Sequence, residues 1–218
     1  MSEDGVTVRG RVRRAGGERR FTVLDHVISV IAERGYGTTR YADVSAVSGI
    51  AVSTLQGYFG SREDMLIEAF ERATSIAVDG MNQLAAQHDD PLGLLVAMVD
   101  MGLDTDTPTW RMLGEFWTAA AHDPDLRQRA VELARRYREP FADAVRRGVE
   151  RGAFEPKFEV AVIVESTVAS IVGILHPMVL GHWAIDHRDY RKLILTQLAF
   201  ALGTPIEDNL GDSTTIGL

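Results

Sequence analysis

Residues 21–65 read FTVLDHVISVIAERGYGTTRYADVSAVSGIAVSTLQGYFGSREDM and contain three helical patterns separated by glycines. Gly35 ends the first pattern, whose apolar side chains recur three and four residues apart: Phe21, Leu24, Val27, Ile28 and Ile31. Two shorter patterns follow at residues 41–48 and 50–59, and each is closed by a glycine. Two short helices joined around a small residue and packed against a longer helix form a helix-turn-helix, so the sequence predicts that motif here.

The second short helix is the one predicted to read DNA. Its Leu55 and Phe59 lie four residues apart, and we expect them to pack with Val44 and Val47 of the preceding helix. The opposite side of the helix then faces outward and can enter the major groove, with its N-terminal half near the base edges. The predicted DNA contacts are Arg40, Tyr41, Val52, Ser53, Thr54, Gln56, Gly57, Tyr58 and Arg62.

These predicted contacts divide by chemistry into base readers and phosphate binders. Gln56 carries both a donor and an acceptor for an adenine edge, and Val52 can touch a thymine methyl group. The side chains expected at phosphate oxygens are Arg40, Thr54, Tyr58 and Arg62. Thr39 is the predicted N-cap of the first short helix, and residues 61–64 resemble a capping box that opens the next long helix.

The whole stretch resembles the DNA-binding domain of the tetracycline-repressor (TetR) family. The features that carry the resemblance are Gly35-Tyr36 after an AER helix end, Thr39, Asp43-Val44, Gly49-Ile50, and the run Thr54-Leu55-x-x-Tyr58-Phe59-Gly60-Ser61-Arg62-Glu63. The resemblance implies nine or ten helices, a homodimer through the last two long helices, and a ligand pocket in the C-terminal part.

The sequence departs from that family pattern in its reading helix. Ala51 stands where the family commonly has Ser or Thr, and alanine has no oxygen that could cap the helix. Gly57 replaces a larger residue, and glycine inside a helix costs about 1 kcal/mol relative to alanine. Both changes predict a reading helix that depends on DNA for part of its stability.

Beyond residue 65 the sequence remains helical, and proline marks the starts of three helices at Asp90-Pro91, Thr107-Pro108 and Asp123-Pro124. Two further helices are predicted at residues 159–182 and 186–202. We find no alternating pattern of useful length, so the predicted fold is all-α with about nine helices. The predicted divisions are a flexible basic arm (1–17), the helix-turn-helix domain (18–64), a ligand-binding and dimerisation domain (65–204) and a tail (205–218).

Charge and composition limit the classes of function that the sequence supports. Residues 1–62 hold nine Arg against six acidic residues (net +3), whereas residues 63–218 hold 14 basic and 25 acidic residues (net −11), so an anionic partner is expected at the N-terminal quarter. The 218 residues include no cysteine, and the six histidines lack metal-ligand spacing, so neither a metal site nor a cofactor is expected. No nucleophile or nucleotide-binding motif is present, which argues against an enzyme.

Residues 160–185 are long and apolar enough to span a membrane, but a buried helix is the better interpretation because Glu165, His176, Pro177 and His182 interrupt them.

The C-terminal body supplies two further sets of candidate residues. The candidate ligand contacts are Met98, Trp110, Leu113, Trp117, Tyr137, Phe141, Glu165 and His176. The same aromatic and methionine side chains could simply form the core, and Glu165 could equally form a surface ion pair. The candidate dimer contacts are Val168, Ile171, Val172, Leu175, Val179, Leu193, Gln197 and Phe200.

Together these patterns predict a cytoplasmic, sequence-specific DNA-binding regulator. We expect a homodimeric repressor that a small hydrophobic or planar ligand releases from a pseudo-palindromic double-stranded operator. A helical carrier or enzyme without DNA function is the alternative. The sequence leaves open whether an effector exists and which one it is, and which operator and genes are recognised. It also leaves open whether the protein represses or activates, and whether the arm touches DNA.

Overall fold

The computed structural model describes residues 17–182 and 186–204, and within these ranges it contains ten α-helices and no β-strand. The predicted arm, apart from Gly17, and the predicted tail lie outside the described residues. The helices are α1 (Gly17–Arg34), α2 (Tyr41–Ser48), α3 (Val52–Phe59), α4 (Arg62–Gln87), α5 (Pro91–Leu103), α6 (Thr107–His122), α7 (Pro124–Glu150), α8 (Val160–Val172), α9 (Leu175–Leu180) and α10 (His187–Leu202). The predicted all-α fold is therefore confirmed.

Aspartate and serine side chains fix where the long helices begin. Ser61 accepts the Asp64 amide at 3.0 Å and so caps α4, as the sequence predicts. Asp90 and Asp123 cap α5 and α7, each directly before the proline at the first helical position. The cap of α6 is Asp106, whose carboxylate accepts the Thr109 amide at 2.7 Å.

The predicted helix at 159–182 is wrong as a single helix. The chain breaks after α8 at Gly173 and Ile174, and the short α9 follows and ends at Gly181, which adopts φ +61°. Residues 160–180 remain apolar and long enough for a membrane span. Their break into two helices, and the five side chains of α8 that are buried within the chain, support the interpretation as a core segment.

Two apolar clusters form the interior. The head cluster joins α1–α4, which we call the head, to parts of α6 and α7. Its fully buried members include Val27, Leu55 and Phe59. The body cluster lies among α4–α8 and α10, with Leu95 and Met98 inside it. Leu113 and Trp117 on α6 pack against both clusters. Because one helix contributes to both interiors, a displacement of α6 reaches the head as well as the body.

Candidate nucleic-acid interface and apolar body

The helix-turn-helix is held together by apolar side chains on the inner faces of α2 and α3. Val44, Leu55 and Phe59 have no exposed surface. Gly49, at φ +70°, makes the turn between the two helices, a conformation that glycine adopts without strain. The predicted burial of Val47 is wrong because its side chain points away from this contact and is 54% exposed.

The outer face of α3 is polar and open. Ser53, Thr54, Gln56 and Gly57 are exposed, whereas Val52 and Tyr58 are partly buried. The Tyr58 ring meets the Phe59 ring edge-on, with centroids 6.2 Å apart. The structure thus places the predicted base-reading side chains together on one surface, although their contact with DNA stays a prediction.

The start of α3 lacks a side-chain cap, as the sequence predicts. Ala51 occupies the N-cap position, and no side-chain oxygen accepts an amide there. Gly57 has no atom within 4 Å of the position that a Cβ would take, so a larger residue could fit at this position. The Ala51 carbonyl accepts the Thr54 amide at 2.9 Å, but no Ala51 side chain caps the amides of the first turn, which leaves the positive end of the helix dipole without a side-chain oxygen.

The start of α2 differs from its predicted form. Arg40 is the N-cap residue, and its backbone amide donates to Asp43 Oδ2 at 2.8 Å. Asp43 also pairs with Arg34 at 3.1 Å, while the Arg40 side chain is exposed and Tyr41 is partly buried. The predicted cap Thr39 is instead fully buried, and its hydroxyl donates to the Gly35 carbonyl at 2.8 Å, so it closes the preceding turn.

Arg62 has a structural role in addition to its predicted phosphate contact, which stays a prediction. Its guanidinium donates to the carbonyl of Thr39 at 2.5 Å and to the carbonyl of Tyr36. It also pairs with Glu63 at 3.3 Å and lies 5.4 Å from the centroid of the Tyr36 ring. Arg62 therefore binds the turn between α1 and α2 to the start of α4, and these contacts use three of its five N–H donors.

Glu115 is a functional candidate that the sequence reasoning missed. Its Oε2 accepts the backbone amide of Tyr36 at 3.0 Å and lies 2.9 Å from the position of a Cβ on Gly35, whose φ is +84°. The same turn is supported by a column of rings, since Tyr36 stacks on Phe70 at 6.1 Å and Phe70 stacks on Phe116 at 3.8 Å. Nothing in the spacing of an exposed glutamate on α6 signals this contact, because it joins residues 79 positions apart.

The candidate ligand residues divide into buried and partly buried groups. Met98, Trp110 and Phe141 are 0–3% exposed and belong to the body cluster. Leu113, Trp117 and Tyr137 are partly buried against the same cluster. Burial raises the pKa of Tyr137 to about 12, so its hydroxyl stays protonated at any physiological pH.

Two of the predicted ligand contacts do not face the body interior. Glu165 is exposed and forms a two-point ion pair with Arg138 of α7, at 2.6 and 2.9 Å, so the surface interpretation replaces the pocket carboxylate. His176 on α9 is exposed as well. We therefore remove both residues from the candidate ligand set.

The predicted dimer face on α8 also needs correction. Val168 and Ile171 are 3% and 0% exposed and pack inside the chain, while Val172, Leu175 and Val179 are partly buried. The side of α8 that faces outward carries Val162, which is 54% exposed, and small side chains. The outward residues of α8 are Ala161, Val162, Glu165, Ser166, Ala169 and, beyond its end, Gly173.

The predicted contacts on α10 do face outward. Leu193 is 50% exposed, Phe200 is 57% exposed, and Gln197 is exposed between them. The Lys157 ammonium lies 3.8 Å from the centroid of the Phe200 ring. Thus α8 and α10, which pack against each other, expose large apolar side chains among small and polar ones on their outer surface, which we call the α8–α10 face.

Among residues 17–182 and 186–204 no group of three or more histidine, aspartate or glutamate side chains is arranged to hold a metal ion. The polar side chains buried in that part of the chain are Thr39, Thr74 and Thr167. The body interior therefore offers hydrogen-bonding groups without a buried charge.

Comparison with known proteins places these features in context. A family model described as "BetI-type transcriptional repressor, C-terminal" matches residues 91–203, which is more than half of the chain. The regulator LuxR of Vibrio harveyi is 31% identical over 65 residues, and this match spans 30% of the chain and about a third (32%) of LuxR. The match thus covers less than a third of this chain and of LuxR.

Solved structures share the fold over most of the chain. A putative TetR-family transcriptional regulator from Rhodococcus sp. superposes with a TM-score of 0.73 at 19% identity, covering 85% of this chain and 99% of that one. The regulator FadR from Bacillus subtilis, in complex with stearoyl-CoA, superposes with a TM-score of 0.71 at 18% identity, again covering 85% and 99%. At these identities the likeness concerns the fold.

Proposed function

Because this chain belongs to the TetR family of transcriptional regulators, we propose that it is a homodimeric repressor, and that an apolar effector bound in the body releases it from a pseudo-palindromic operator. The setting for this action is the cytoplasm, where the DNA is accessible. The outward face of α3 is the observation that carries the DNA-binding part of the proposal. Leu55 and Phe59 anchor the inner side of this helix in the head cluster, so Ser53 and Gln56 on its outer side are available to a groove.

The proposal assigns separate roles to the side chains around α3. Ser53 and Gln56 face base edges, and Gln56 has the donor and acceptor that adenine requires. The exposed Arg40 at the start of α2 binds a phosphate and sets the register of the head on the duplex. The uncapped start of α3 offers amides to a second phosphate.

The α8–α10 face supports the dimeric part of the proposal. Val162, Leu193 and Phe200 are each 50–57% exposed. In a symmetric dimer the same face of a second chain would bury them. Two pairs of helices would then form a four-helix interface. One head makes few contacts, so two heads held at a fixed separation are needed for tight binding to two half-sites.

Release of the DNA is proposed to pass through α6. One side of this helix carries Trp110 into the body cluster, and another carries Glu115 and Phe116 to the turn between α1 and α2. A ligand that displaces α6 therefore also moves the support of the helix-turn-helix. By linkage, the factor by which the ligand weakens DNA binding equals the factor by which DNA weakens ligand binding.

The DNA-binding role is tested with labelled duplexes from the region upstream of the gene, by fluorescence anisotropy at two salt concentrations. We expect tight binding to one duplex, which weakens steeply as salt rises. Arg40→Ala should lower the affinity for every duplex and reduce the slope of log affinity against log salt by about 1. Gln83→Ala, at an exposed position near the end of α4, is the control and should leave both values unchanged. Binding that is equally weak on all duplexes and insensitive to salt would contradict the proposal.

A further inference from the structure

The indole nitrogen of Trp110 is a buried hydrogen-bond donor without an acceptor. The residue is 3% exposed, and its Nε1 has no partner among the described residues. The carboxylate of Asp106, one helical turn before Trp110, is engaged by Thr109 instead, accepting its amide at 2.7 Å and its hydroxyl at 3.1 Å. Folded proteins leave few buried donors unpaired, and each one calls for a specific explanation.

The surroundings of Trp110 restrict what could supply the missing acceptor. The body cluster around it consists of aliphatic and aromatic side chains, and Met98, Phe141 and Ile171 within it are 0–1% exposed. The one buried polar side chain in α8, Thr167, is occupied because its hydroxyl donates to the Ile163 carbonyl at 2.8 Å. The protein therefore provides a donor inside an apolar interior and no matching acceptor.

The charge of the interior restricts the guest further. The charged groups that border the body are paired at its edge, as Asp100 with Arg191 at 2.5 Å and Glu165 with Arg138 at 2.6 Å. No charged side chain is buried in the described body, and an unpaired charge transferred into such an interior is strongly disfavoured. Tyr137 adds a second neutral donor at the border of the cluster, with its hydroxyl 3.3 Å from the position of a Cβ on Gly102.

We propose that the effector is an uncharged, largely apolar molecule with one hydrogen-bond acceptor, such as a ketone, ester or thioester carbonyl, and that this acceptor takes the Trp110 indole N–H. The inference rests on the proposed effector-binding role of the body. It assigns the ligand class and the residue that orients the ligand. A hydrocarbon of the same shape gains the same apolar contacts but leaves the indole unpaired, and a carboxylate brings a charge that nothing inside the body neutralises.

The test uses two sets of compounds matched in size, one flat and one extended. The flat set is acetylnaphthalene, isopropenylnaphthalene and naphthoate, and the extended set is methyl nonyl ketone, its methylene isostere and decanoate. Within each set the members differ in the acceptor and the charge while their shape is kept. Binding to the full-length chain is measured by equilibrium dialysis and by the shift of the melting temperature.

We expect a ketone to bind about tenfold more tightly than its hydrocarbon isostere in at least one set, and the carboxylate to bind most weakly. Trp110→Phe keeps an aromatic ring but removes the donor, so the ratio of ketone to hydrocarbon affinity should fall to near one. Tyr190→Phe is the matched control, since it also removes a donor from an aromatic ring, but one that already has an acceptor in the Ser170 carbonyl at 2.6 Å, and it should keep the ratio.

Three results would overturn the inference: an unchanged ratio in Trp110→Phe, tightest binding of a carboxylate, or no binding in either set. Anisotropy with the upstream duplexes, run on the same samples, separates this inference from the proposed function. Tight DNA binding without a ketone preference refutes the ligand class alone. A ketone preference that depends on Trp110, without DNA binding, refutes the repressor role instead.

Discussion

The outer face of α3 and the α8–α10 face are both exposed, but they are made of opposite chemistry. Ser53 and Gln56 make the first surface polar, while the second surface exposes large apolar side chains such as Val162 and Phe200. A polar face stays in water at no penalty until DNA arrives, whereas an apolar face of this kind is stabilised when a second chain covers it. The contrast teaches that exposure alone does not identify a partner, and that the character of the exposed side chains does.

The largest expected effect comes from changing the apolar face. Phe200→Asp places a charge in the proposed dimer interface, so we expect monomers in light scattering and a loss of at least about 100-fold in operator affinity, because the two heads no longer bind together. Val131→Asp, at a 65% exposed position on α7, is the matched control and should leave both measurements unchanged. A monomeric Phe200→Asp protein with wild-type affinity would show that one head is sufficient.

The second-largest effect is expected at Arg62, which holds the turn between α1 and α2 behind the outer face of α3. Arg62→Gln removes two charge-assisted hydrogen bonds to the carbonyls of Tyr36 and Thr39, so we expect the free energy of unfolding in urea to fall by about 2–4 kcal/mol. Arg111→Gln, on the exposed side of α6, should change it by less than about 0.5 kcal/mol. Equal small losses in the two variants would mean that the guanidinium of Arg62 is not holding the turn.

Changing the polar face itself should alter selectivity more than stability. Gln56→Ala should reduce discrimination at one base pair by about 1–3 kcal/mol and leave the urea midpoint near that of the wild type. Anisotropy against a set of duplexes, each with one base pair changed, measures this. A uniform loss of affinity on every duplex would assign Gln56 to the backbone of the DNA instead of a base.

The smallest effect is expected where the body touches the head. Glu115→Ala removes the acceptor of the Tyr36 amide, and we expect operator affinity to fall by about 0.5–1.5 kcal/mol while the dimer persists. Glu132→Ala, which breaks an exposed pair with Arg135 on α7, serves as the control. If both variants bind DNA like the wild type, the contact between α6 and the turn does not influence the head.

The sequence predicted local features of the fold well and the direction of some side chains poorly. Gly35, Gly49 and Gly60 mark real helix ends, and Ser61 caps α4, because these signals depend on a few neighbouring residues. The roles of Arg62 and Glu115 could not be predicted, since both depend on contacts between distant segments.

The error on α8 has a different cause. This helix is apolar on most of its circumference, so periodicity shows that it is buried without showing which side the rest of the chain covers. Val168 and Ile171 turned out to face the chain interior, and Val162 faces outward. On α10 the polar residues break the symmetry, and there the sequence placed Leu193 and Phe200 on the outer side as the structure does.

The uncapped start of α3 has a thermodynamic consequence. Ala51 provides no side-chain oxygen for the first turn of the helix, and glycine at position 57 costs about 1 kcal/mol relative to alanine, so we expect a bound phosphate to stabilise this helix further. Binding of the protein to its operator should then show a favourable enthalpy opposed by an entropy loss. The heat-capacity change on binding should be larger than for two partners that bind without any change in order. Temperature would therefore tune operator occupancy in this protein more strongly than in a relative whose reading helix is fully formed before it meets DNA.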